Sequence, residues 1–297
     1  MVVGATATGK SALAMALARR LGEVDLVSMD SMQVYRGMDI GTAKPSLAER
    51  AEVPHHVVDV VDPSQEWGVS PHLAAAREAL QRIEAGGRRA ILVGGTGLYV
   101  QALVDGFSPP GRWPEVRAAL EAELDTAGLH RRLAALDPLG ASRMEPSNRR
   151  RVIRALEVTL GSGRPFSSYG PGVGAYPPTH WHLAGLALPA QEVNARIAVR
   201  LRSMAAAGFV EEVRRLDSAE AGWSRTASQA LGYRDLLDHV RGRLGLDEAL
   251  ERATRATRAF AKRQRAWWRR DPRVRWYDAA QNTVEVVASV LGDWDPT

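Results

Sequence analysis

Eight residues near the start of the chain have the types and spacing of a phosphate-binding loop, the P-loop. Two glycines let the backbone curl so that successive N–H groups converge on an anion. The lysine adds a mobile positive charge, and the final hydroxyl can ligate a Mg²⁺ ion bound to the phosphates. A helix predicted to begin here directs its positive dipole end to the same place. The residues, which fit G-x-x-x-x-G-K-[ST], are Gly4, Ala5, Thr6, Ala7, Thr8, Gly9, Lys10 and Ser11.

Two further polar side chains are predicted to lie beside this loop. Residues 24–29 have the pattern of a buried strand that ends at Asp30, and residues 89–93 form a second such run before Thr96. Ligands of open α/β sheets bind beyond the carboxyl ends of the strands, so both side chains should face the phosphates or a second substrate. Asp30 could bind Mg²⁺ through water or accept a proton. The alternatives are structural: a capping or turn aspartate, and a plain β–α turn.

The elements around these residues predict an α/β fold with a parallel sheet. Strand patterns at 1–3 and 24–29 flank a helix pattern at 11–21, and the strand–glycines–helix design returns after 89–93. Because a strand averages about 5–6 residues, either the first strand is short or the natural chain begins upstream. His55 and His56 are adjacent, and neighbouring strand residues face opposite ways, so we interpret this pair as structural.

A region without strand patterns lies between two segments rich in proline and glycine, 107–114 and 169–178. Its helix patterns indicate a small helical domain inserted into the α/β core. We therefore assign 1–112 and 177–297 to the core and 113–176 to the insertion. The insertion contains the basic run 149–154, which suits RNA phosphates but is also typical of a solvated helix face.

Composition limits the classes of function. The chain has 297 residues, of which 45% are hydrophobic and 25% charged, as in ordinary globular proteins with a substantial core. There is no cysteine, which excludes disulfides and thiol catalysis and is compatible with a reducing cytoplasm. No signal peptide or membrane-spanning apolar run is present. The net charge is +5, and 36 of the 39 basic residues are arginine.

The last long helix, predicted over 250–270, carries five cations at alternating steps of three and four residues. This spacing places them along one stripe of the helix. With few acidic residues nearby, such a stripe fits a track for nucleic-acid phosphates, and the alternative is a solvated face. The residues are Arg255, Arg258, Lys262, Arg265 and Arg269.

Longer motifs show that the chain resembles the bacterial tRNA dimethylallyltransferases, also called tRNA isopentenyltransferases. The P-loop of that family reads G-P-T-A-S-G-K-T, from which this chain departs mildly at Ala5, Thr8 and Ser11. Ala266 replaces the threonine that usually precedes the tryptophan of the A-K-R-Q motif. The shared motifs are spread over nearly the whole chain. They are D-S-M-Q-V-Y-R-G at 30–37, D-I-G-T-A-K-P at 39–45, V-P-H-H at 53–56, D-V-x-D-P at 59–63, G-G-T-G-L-Y at 94–99, R-V-I-R-A-L-E-V at 151–158, A-x-G-Y at 230–233 and A-K-R-Q at 261–264, which is followed by Trp267.

The resemblance implies a P-loop α/β core with a helical insertion that moves to clasp tRNA. The implied reaction transfers a dimethylallyl group from dimethylallyl diphosphate to the N6 amine of adenosine 37, just 3′ of the anticodon, and releases diphosphate. The P-loop, which binds nucleotides such as ATP in other proteins, would here bind the prenyl diphosphate with Mg²⁺. We expect a cytoplasmic monomer that does not associate with membranes.

The resemblance also implies roles for individual residues. Asp30 would orient the amine and accept its proton, and Thr96 would stabilise the leaving diphosphate. Thr96 would be assisted by Lys10, by a Mg²⁺ ion on Ser11 and by either Arg196 or Arg200. The sequence does not decide between the two arginines. The residues expected to contact tRNA are Asp30, Ser31, Met32, Gln33, Thr96, Arg117, Arg150, Arg151, Val152, Ile153, Arg154, Arg255, Arg258, Lys262 and Arg265.

Other functions stay open from the sequence. A small-molecule P-loop kinase shares the first motif and predicts ATP turnover, but it leaves the basic stripe unexplained. A non-catalytic RNA-binding protein explains the arginines but leaves the P-loop, Asp30 and Thr96 unused. A related enzyme that prenylates free adenine nucleotides would not need the long basic C-terminal part.

Overall fold

The computed structural model describes residues 1–170 and 172–294 and contains a six-stranded parallel sheet. The predicted core range 177–297 therefore extends at 295–297 beyond the described residues. The strands are β1 (Val2–Gly4), β2 (Val24–Ser28), β3 (His55–His56), β4 (Arg89–Gly94), β5 (Leu183–Ala187) and β6 (Val274–Asp278). They lie in the order β3-β2-β4-β1-β5-β6, and every pairing is parallel. This arrangement confirms the predicted α/β fold class.

Helices connect the strands and also form the region between β4 and β5. In chain order they are α1 (Lys10–Leu21), α2 (Leu47–Glu52), α3 (Val69–Ala85), α4 (Gly97–Val104), α5 (Pro114–Ala122), α6 (Thr126–Leu136), α7 (Pro138–Ser142), α8 (Arg149–Ser162), α9 (Ala190–Ala206), α10 (Phe209–Asp217), α11 (Tyr233–Val240), α12 (Leu246–Trp268) and α13 (Thr283–Trp294). Within the described part of the chain, none of them is long and apolar enough to cross a membrane.

The chain divides into two compact units. The first comprises Met1–Val104 together with Pro178–Thr297, and the second is Asp105–Pro177. The predicted insertion begins later, at residue 113, because residues 107–112 of the proline- and glycine-rich segment were assigned to the core. The structure instead groups that segment with the helices that follow it.

Helices α1 and α13 cover one face of the sheet in the first unit. On α1 the apolar residues recur at helical spacing, and Leu13 and Leu17 are buried. They join one hydrophobic cluster with the β-strand residues Val2 and Leu26 and with Val290 of α13. Burying a side chain of this size contributes about 1.5–3 kcal/mol, so α1 is fixed firmly to the strand that precedes the P-loop.

The strand order brings the predicted site residues to one edge of the sheet. β1 pairs with β4 on one side and with β5 on the other, while β4 also pairs with β2. Since all these strands are parallel, their carboxyl ends share an edge. The P-loop follows β1, Asp30 follows β2, and Thr96 follows β4. The topology therefore places the three segments next to one another.

The second unit has its own hydrophobic core, formed by α5, α6, α7 and α8. Leu120, Leu129, Leu133 and Leu156 are almost completely buried in it. The asparagine before α8, Asn148, accepts a hydrogen bond from the Arg151 amide and so caps the helix. The basic run of the sequence thus begins on a well-defined helix.

Several elements differ from the sequence prediction. Strand β6 was not predicted, because Arg275 and Asp278 interrupt the short apolar run of Val274–Asp278. Helices α2, α7, α10 and α11 were not predicted either. Helix α12 begins at Leu246 and ends at Trp268, whereas the prediction placed it over 250–270.

Candidate active site

The P-loop forms a tight anion-binding turn between β1 and α1. Gly9 occupies the N-cap of α1 with φ of 94°, a left-handed conformation that glycine adopts without strain. Ala7 also has a positive φ, 63°. The Thr8 hydroxyl donates to the Ala5 carbonyl at 2.9 Å and closes the turn from inside. This geometry exposes the N-terminus of α1 to a ligand.

Lys10 lies in the mouth of this loop. Its Nζ donates to the Ala5 carbonyl at 2.6 Å. Burial lowers the pKa of the Lys10 ammonium to about 8, the negative charge of Asp30 opposes this change, and the positive charge of Arg200 adds to it. Lys10 is therefore mostly protonated at pH 7, in the same electrostatic environment as Asp30 and Arg200.

Arg200 is the arginine of α9 that reaches the P-loop. Its NH2 donates to the Thr6 hydroxyl at 2.9 Å. Burial lowers the pKa of the Arg200 guanidinium, and the charge of Asp30 partly restores it. Arg196 is exposed and lies 3.8 Å from Glu192 on its own helix. Of the two predicted candidates, Arg200 is therefore the one in contact with the loop.

Asp30 and Thr96 are joined through the backbone between them. The Met32 amide donates to Oδ1 of Asp30 at 2.8 Å, which fixes the carboxylate in an Asx turn. The amide of the preceding residue, Ser31, donates to the Thr96 hydroxyl at 3.4 Å. The turns that follow β2 and β4 thus hold a carboxylate and a hydroxyl at the P-loop edge.

The three residues after Asp30 that were predicted to contact tRNA are all partly exposed. Gln33 uses its amide within the protein: its Oε1 accepts from the Ser28 hydroxyl at 2.8 Å, and its Nε2 donates to the Thr42 and Ala43 carbonyls at 3.4 and 3.3 Å. Gln33 therefore connects the D-S-M-Q motif with the D-I-G-T-A-K-P motif. Ser31 and Met32 remain available as surface residues.

Two residues that sequence reasoning missed hold the second motif in place. The Lys44 side chain is 1% exposed, and its Nζ donates to the Tyr35 carbonyl at 2.7 Å and to Asp59 at 2.6 Å. Glu212 of α10, also buried, accepts from the Ile40 amide at 2.8 Å and from the Tyr233 hydroxyl at 2.6 Å. The lysine within the motif was a visible signal, whereas nothing in the sequence marked this glutamate.

The histidines have structural partners. His56 bonds to Asp25 at 2.7 Å and His55 to the Val53 carbonyl, as expected for a packing role. His72 is fully buried, where Trp67 donates to its Nδ1 and its Nε2 contacts the Ser28 carbonyl. Burial lowers the pKa of His72 to about 4. Among the described residues no group of three or more His, Asp or Glu could hold a metal ion.

The donor set at the P-loop does suit a Mg²⁺ ion that is bound mainly by phosphate. Ser11, at the second position of α1, is exposed at the loop. One hydroxyl and one nearby carboxylate are what such an ion takes from the protein, since Mg²⁺ keeps several waters and binds substrate phosphates. An all-protein magnesium cage would need more oxygen ligands than these.

The basic run of the insertion divides into exposed and internal residues. Val152 and Ile153 are 0% and 3% exposed in the hydrophobic core, which corrects their prediction as tRNA contacts, because a buried side chain cannot reach RNA. Arg154 donates to Glu157 at 2.9 Å and to the Pro110 carbonyl at 2.8 Å. Among these residues, the exposed cations are Arg150 and Arg151.

The buried Glu157 is a partner of both Arg154 and Arg117. Its side chain is 2% exposed and accepts from both arginines and from the Trp113 amide. Although burial opposes it, these donors hold the pKa of Glu157 below its usual value. A buried carboxylate needs such partners, and both guanidinium groups supply them here.

The stripe on α12 is exposed, as its spacing suggested. Arg255, Arg258, Lys262 and Arg269 are exposed and Arg265 is half-buried. Arg255 lies 3.4 Å from Glu251, and Arg258 donates to the Asn194 carbonyl at 3.2 Å. In the part of the chain that the structure describes, Lys262 and Arg265 form no ion pair.

Family comparisons agree with the motifs. The model of the IPP transferase family matches residues 33–271, and that of the isopentenyl transferase family matches residues 1–57. Among similar proteins, a tRNA dimethylallyltransferase of Kineococcus radiotolerans is 48% identical over 94% of this chain and 90% of its own. One of Thermobifida fusca is 48% identical over 94% of this chain and 89% of its own.

Solved structures show the same likeness. The full-length tRNA isopentenylpyrophosphate transferase of Bacillus halodurans superposes with a TM-score of 0.71 at 34% identity, covering 99% of this chain and 95% of its own. A eukaryotic dimethylallyltransferase, studied while acting on tRNA, gives a TM-score of 0.77 at 26% identity, covering 94% of this chain and 73% of its own.

Proposed function

Because this chain belongs to the tRNA dimethylallyltransferase family, we propose that it transfers a dimethylallyl group from dimethylallyl diphosphate to the N6 amine of adenosine 37 in tRNA. The products are the prenylated nucleoside and diphosphate. The chain is thus a prenyltransferase that acts on tRNA, and the donor, the acceptor atom and the residue roles below are our proposal.

One observation carries the proposal: an anion-binding loop and a carboxylate meet at one edge of the sheet. Arg200 donates to Thr6 of the P-loop at 2.9 Å, and Asp30 follows β2 at the same edge, where its negative charge raises the pKa of Lys10 and of Arg200 against the effect of burial. A kinase site also needs an anion cradle. A site for allylic transfer needs, in addition, a proton acceptor for the attacking amine within reach of the reacting carbon.

In the proposed reaction the bond between C1 of the dimethylallyl group and its oxygen breaks, and the electron pair leaves with the diphosphate. The P-loop amides, Lys10 and Arg200 would stabilise the charge on that leaving group, with the Thr96 hydroxyl beside them. When bound, Mg²⁺ at Ser11 supplies further neutralisation of the diphosphate charge. Arg196 is the weaker candidate, since it is exposed and near Glu192.

The new bond forms between N6 of the adenine and C1. This amine is a weak nucleophile because its lone pair is delocalised into the ring. Asp30 would orient it by a hydrogen bond and accept its proton as the bond forms. The Met32 amide keeps the Asp30 carboxylate in one orientation, which favours a fixed attack geometry.

Adenosine 37 would have to leave the stacked anticodon loop to reach this site. The exposed cations of α12, together with Arg150 and Arg151, would bind the tRNA backbone, and the partly exposed Ser31 and Met32 would contact the RNA beside Asp30. Phosphate contacts of this kind hold and orient the RNA without reading its sequence.

The test is to incubate the purified protein with labelled dimethylallyl diphosphate and tRNA. We expect label in a tRNA that carries adenosine 37, and none in the same tRNA with guanosine at that position. Turnover of ATP without label in RNA would favour the kinase, and RNA binding without transfer would favour the non-catalytic protein. Transfer to free adenine nucleotides in preference to tRNA would contradict the proposed acceptor.

A further inference from the structure

The side chain of Gln264 connects two loops of the site. It lies on α12 and is 7% exposed. Its Oε1 accepts from the Thr6 amide of the P-loop at 2.8 Å, and its Nε2 donates to the Gly95 carbonyl at 2.9 Å. Both polar ends of this buried amide are therefore bonded, one to the diphosphate cradle and the other to the turn that carries Thr96.

The contact between α12 and this turn is close. A Cβ atom on residue 95 would lie 2.3 Å from Nε2 of Gln264 and 3.2 Å from the Gly4 carbonyl, so only glycine fits there. One turn further along the helix, the Trp267 indole lies 2.3 Å from the place where a Cβ on residue 97 would be. Helix α12 thus packs on both sides of Thr96.

The same helix presents Lys262 and Arg258 to solvent on another face. It has 23 residues in one continuous α-helix, a stiff element over this length. The amide of Gln264, with the Trp267 contact beside it, therefore connects the helix of the proposed RNA-binding face directly with the proposed diphosphate cradle.

We propose that Gln264 is a positioning residue for the transfer reaction. Its two hydrogen bonds keep the P-loop and the Thr96 turn at a fixed separation, so that the diphosphate is aligned with the groups that act on it. Gln264 does not touch either substrate. The proposal rests on the proposed function, because it concerns the alignment of those same groups.

The test replaces the amide in two ways. Gln264→Met removes both hydrogen bonds at similar volume, whereas Gln264→Glu keeps the acceptor for Thr6 and loses the donor to Gly95. Because a displacement of about 1 Å can reduce a rate by about 10²-fold, we expect Gln264→Met to lower kcat by about 10–100-fold. Gln264→Glu should lower kcat at least as much, because its second carboxylate oxygen faces the Gly95 carbonyl and its charge lies beside the diphosphate cradle. The KM for tRNA should stay within about threefold of the native value in both variants.

A matched control separates alignment from simple loss of stability. Thr257 is buried on the same helix, and its hydroxyl donates to the Ala253 carbonyl of that helix. Thr257→Val should lower the melting temperature without changing kcat per active site, counted from the stoichiometry of dimethylallyl diphosphate binding. An equal fall in kcat for Thr257→Val, or a kcat of Gln264→Met within about twofold of native, would overturn the proposal.

Assays of the native enzyme distinguish a failure of the proposed function from a failure of the positioning role of Gln264. If the native protein transfers no label to tRNA, the proposed function fails before the variants are compared. If it is active and both Gln264 variants match it, only the positioning role fails. Should Gln264→Met not fold, Gln264→Glu decides the question by the same kcat criterion.

Discussion

Removing three cations from α12 should make tRNA binding less dependent on salt. The variant is Arg258→Gln, Lys262→Gln and Arg265→Gln together. Glutamine is a good helix former, and these side chains are exposed or half-buried, so the helix should persist. The largest structural loss is the hydrogen bond from Arg258 to the Asn194 carbonyl, which contributes about 1 kcal/mol.

The size of the effect follows from counterion release. Each phosphate contact contributes about 0.7 units to the slope of log affinity against log salt for single strands and about 0.9 for duplexes. Three contacts therefore correspond to roughly two to three units. Because Arg258 shares its guanidinium with the Asn194 carbonyl, we expect the lower end, about two units. Arg255 is left unchanged because it is near Glu251.

The assay is equilibrium binding of tRNA by fluorescence anisotropy over about 50–200 mM salt. The slope should flatten, and tRNAs with and without adenosine 37 should weaken alike, since backbone contacts carry no sequence information. Affinity for dimethylallyl diphosphate should not change, because the P-loop is a separate site. Normal tRNA affinity with a normal slope would refute the phosphate track and make Arg150 and Arg151 the next residues to test.

A charge-matched control tests whether the net charge alone explains the result. Arg20 near the end of α1, Arg82 near the end of α3 and Arg89 at the start of β4 lie at the opposite edge of the sheet. Changing these three to glutamine removes the same charge far from α12. The slope should then change by well under one unit. An equal flattening in both variants would mean that the electrostatic field of the whole protein, and not contacts made by α12, causes the effect.

Three further results are expected. Asp30→Ala should lower the single-turnover rate by about 10²–10⁴-fold with little change in tRNA affinity, and a near-normal rate would remove Asp30 from the mechanism. The pKa of His72 is about 4 in the folded protein, below its unfolded value of 6.5. Its contribution to the free energy of unfolding is therefore complete above pH 6.5 and is lost as the pH falls toward 4. Urea unfolding should therefore show a loss of about 2 kcal/mol between pH 7 and pH 5 that His72→Gln lacks. Ile153→Ala should destabilise the insertion by about 2–5 kcal/mol, measured by hydrogen exchange, whereas Arg151→Gln should change its stability by less than about 0.5 kcal/mol.

The positions of Asp30 and Thr96 could be predicted because they depend on local patterns and one topological rule. An apolar run followed by a polar residue marks a strand end, and parallel strands bring such ends to one edge. The choice between Arg196 and Arg200 could not be made in this way. These residues are four apart on one helix, so only the packing of α9 decides which of them reaches Thr6.

Buried charged residues could not be predicted from the sequence either. Glu157 and Glu212 look like ordinary helical glutamates, yet each is buried and bonded to several donors. Nothing local distinguishes a glutamate that anchors a loop from one in solvent, because most of its partners are distant in sequence. Val152 and Ile153, in contrast, were misassigned although helical periodicity places apolar residues of this kind on the core side.

The strand order also sets the distances between the groups of the proposed reaction. Neighbouring strands lie about 4.8 Å apart, and β4 separates β1 from β2, so Asp30 begins about 10 Å across the sheet from the P-loop. Arg200 comes from the helix that follows β5, on the far side of β1. The P-loop and Arg200 therefore converge on β1, with Thr96 beside them after β4, while the proposed proton acceptor follows β2, two strands from β1. Displacement at C1 needs this separation, because the amine must attack opposite the departing oxygen with the five-carbon group between them.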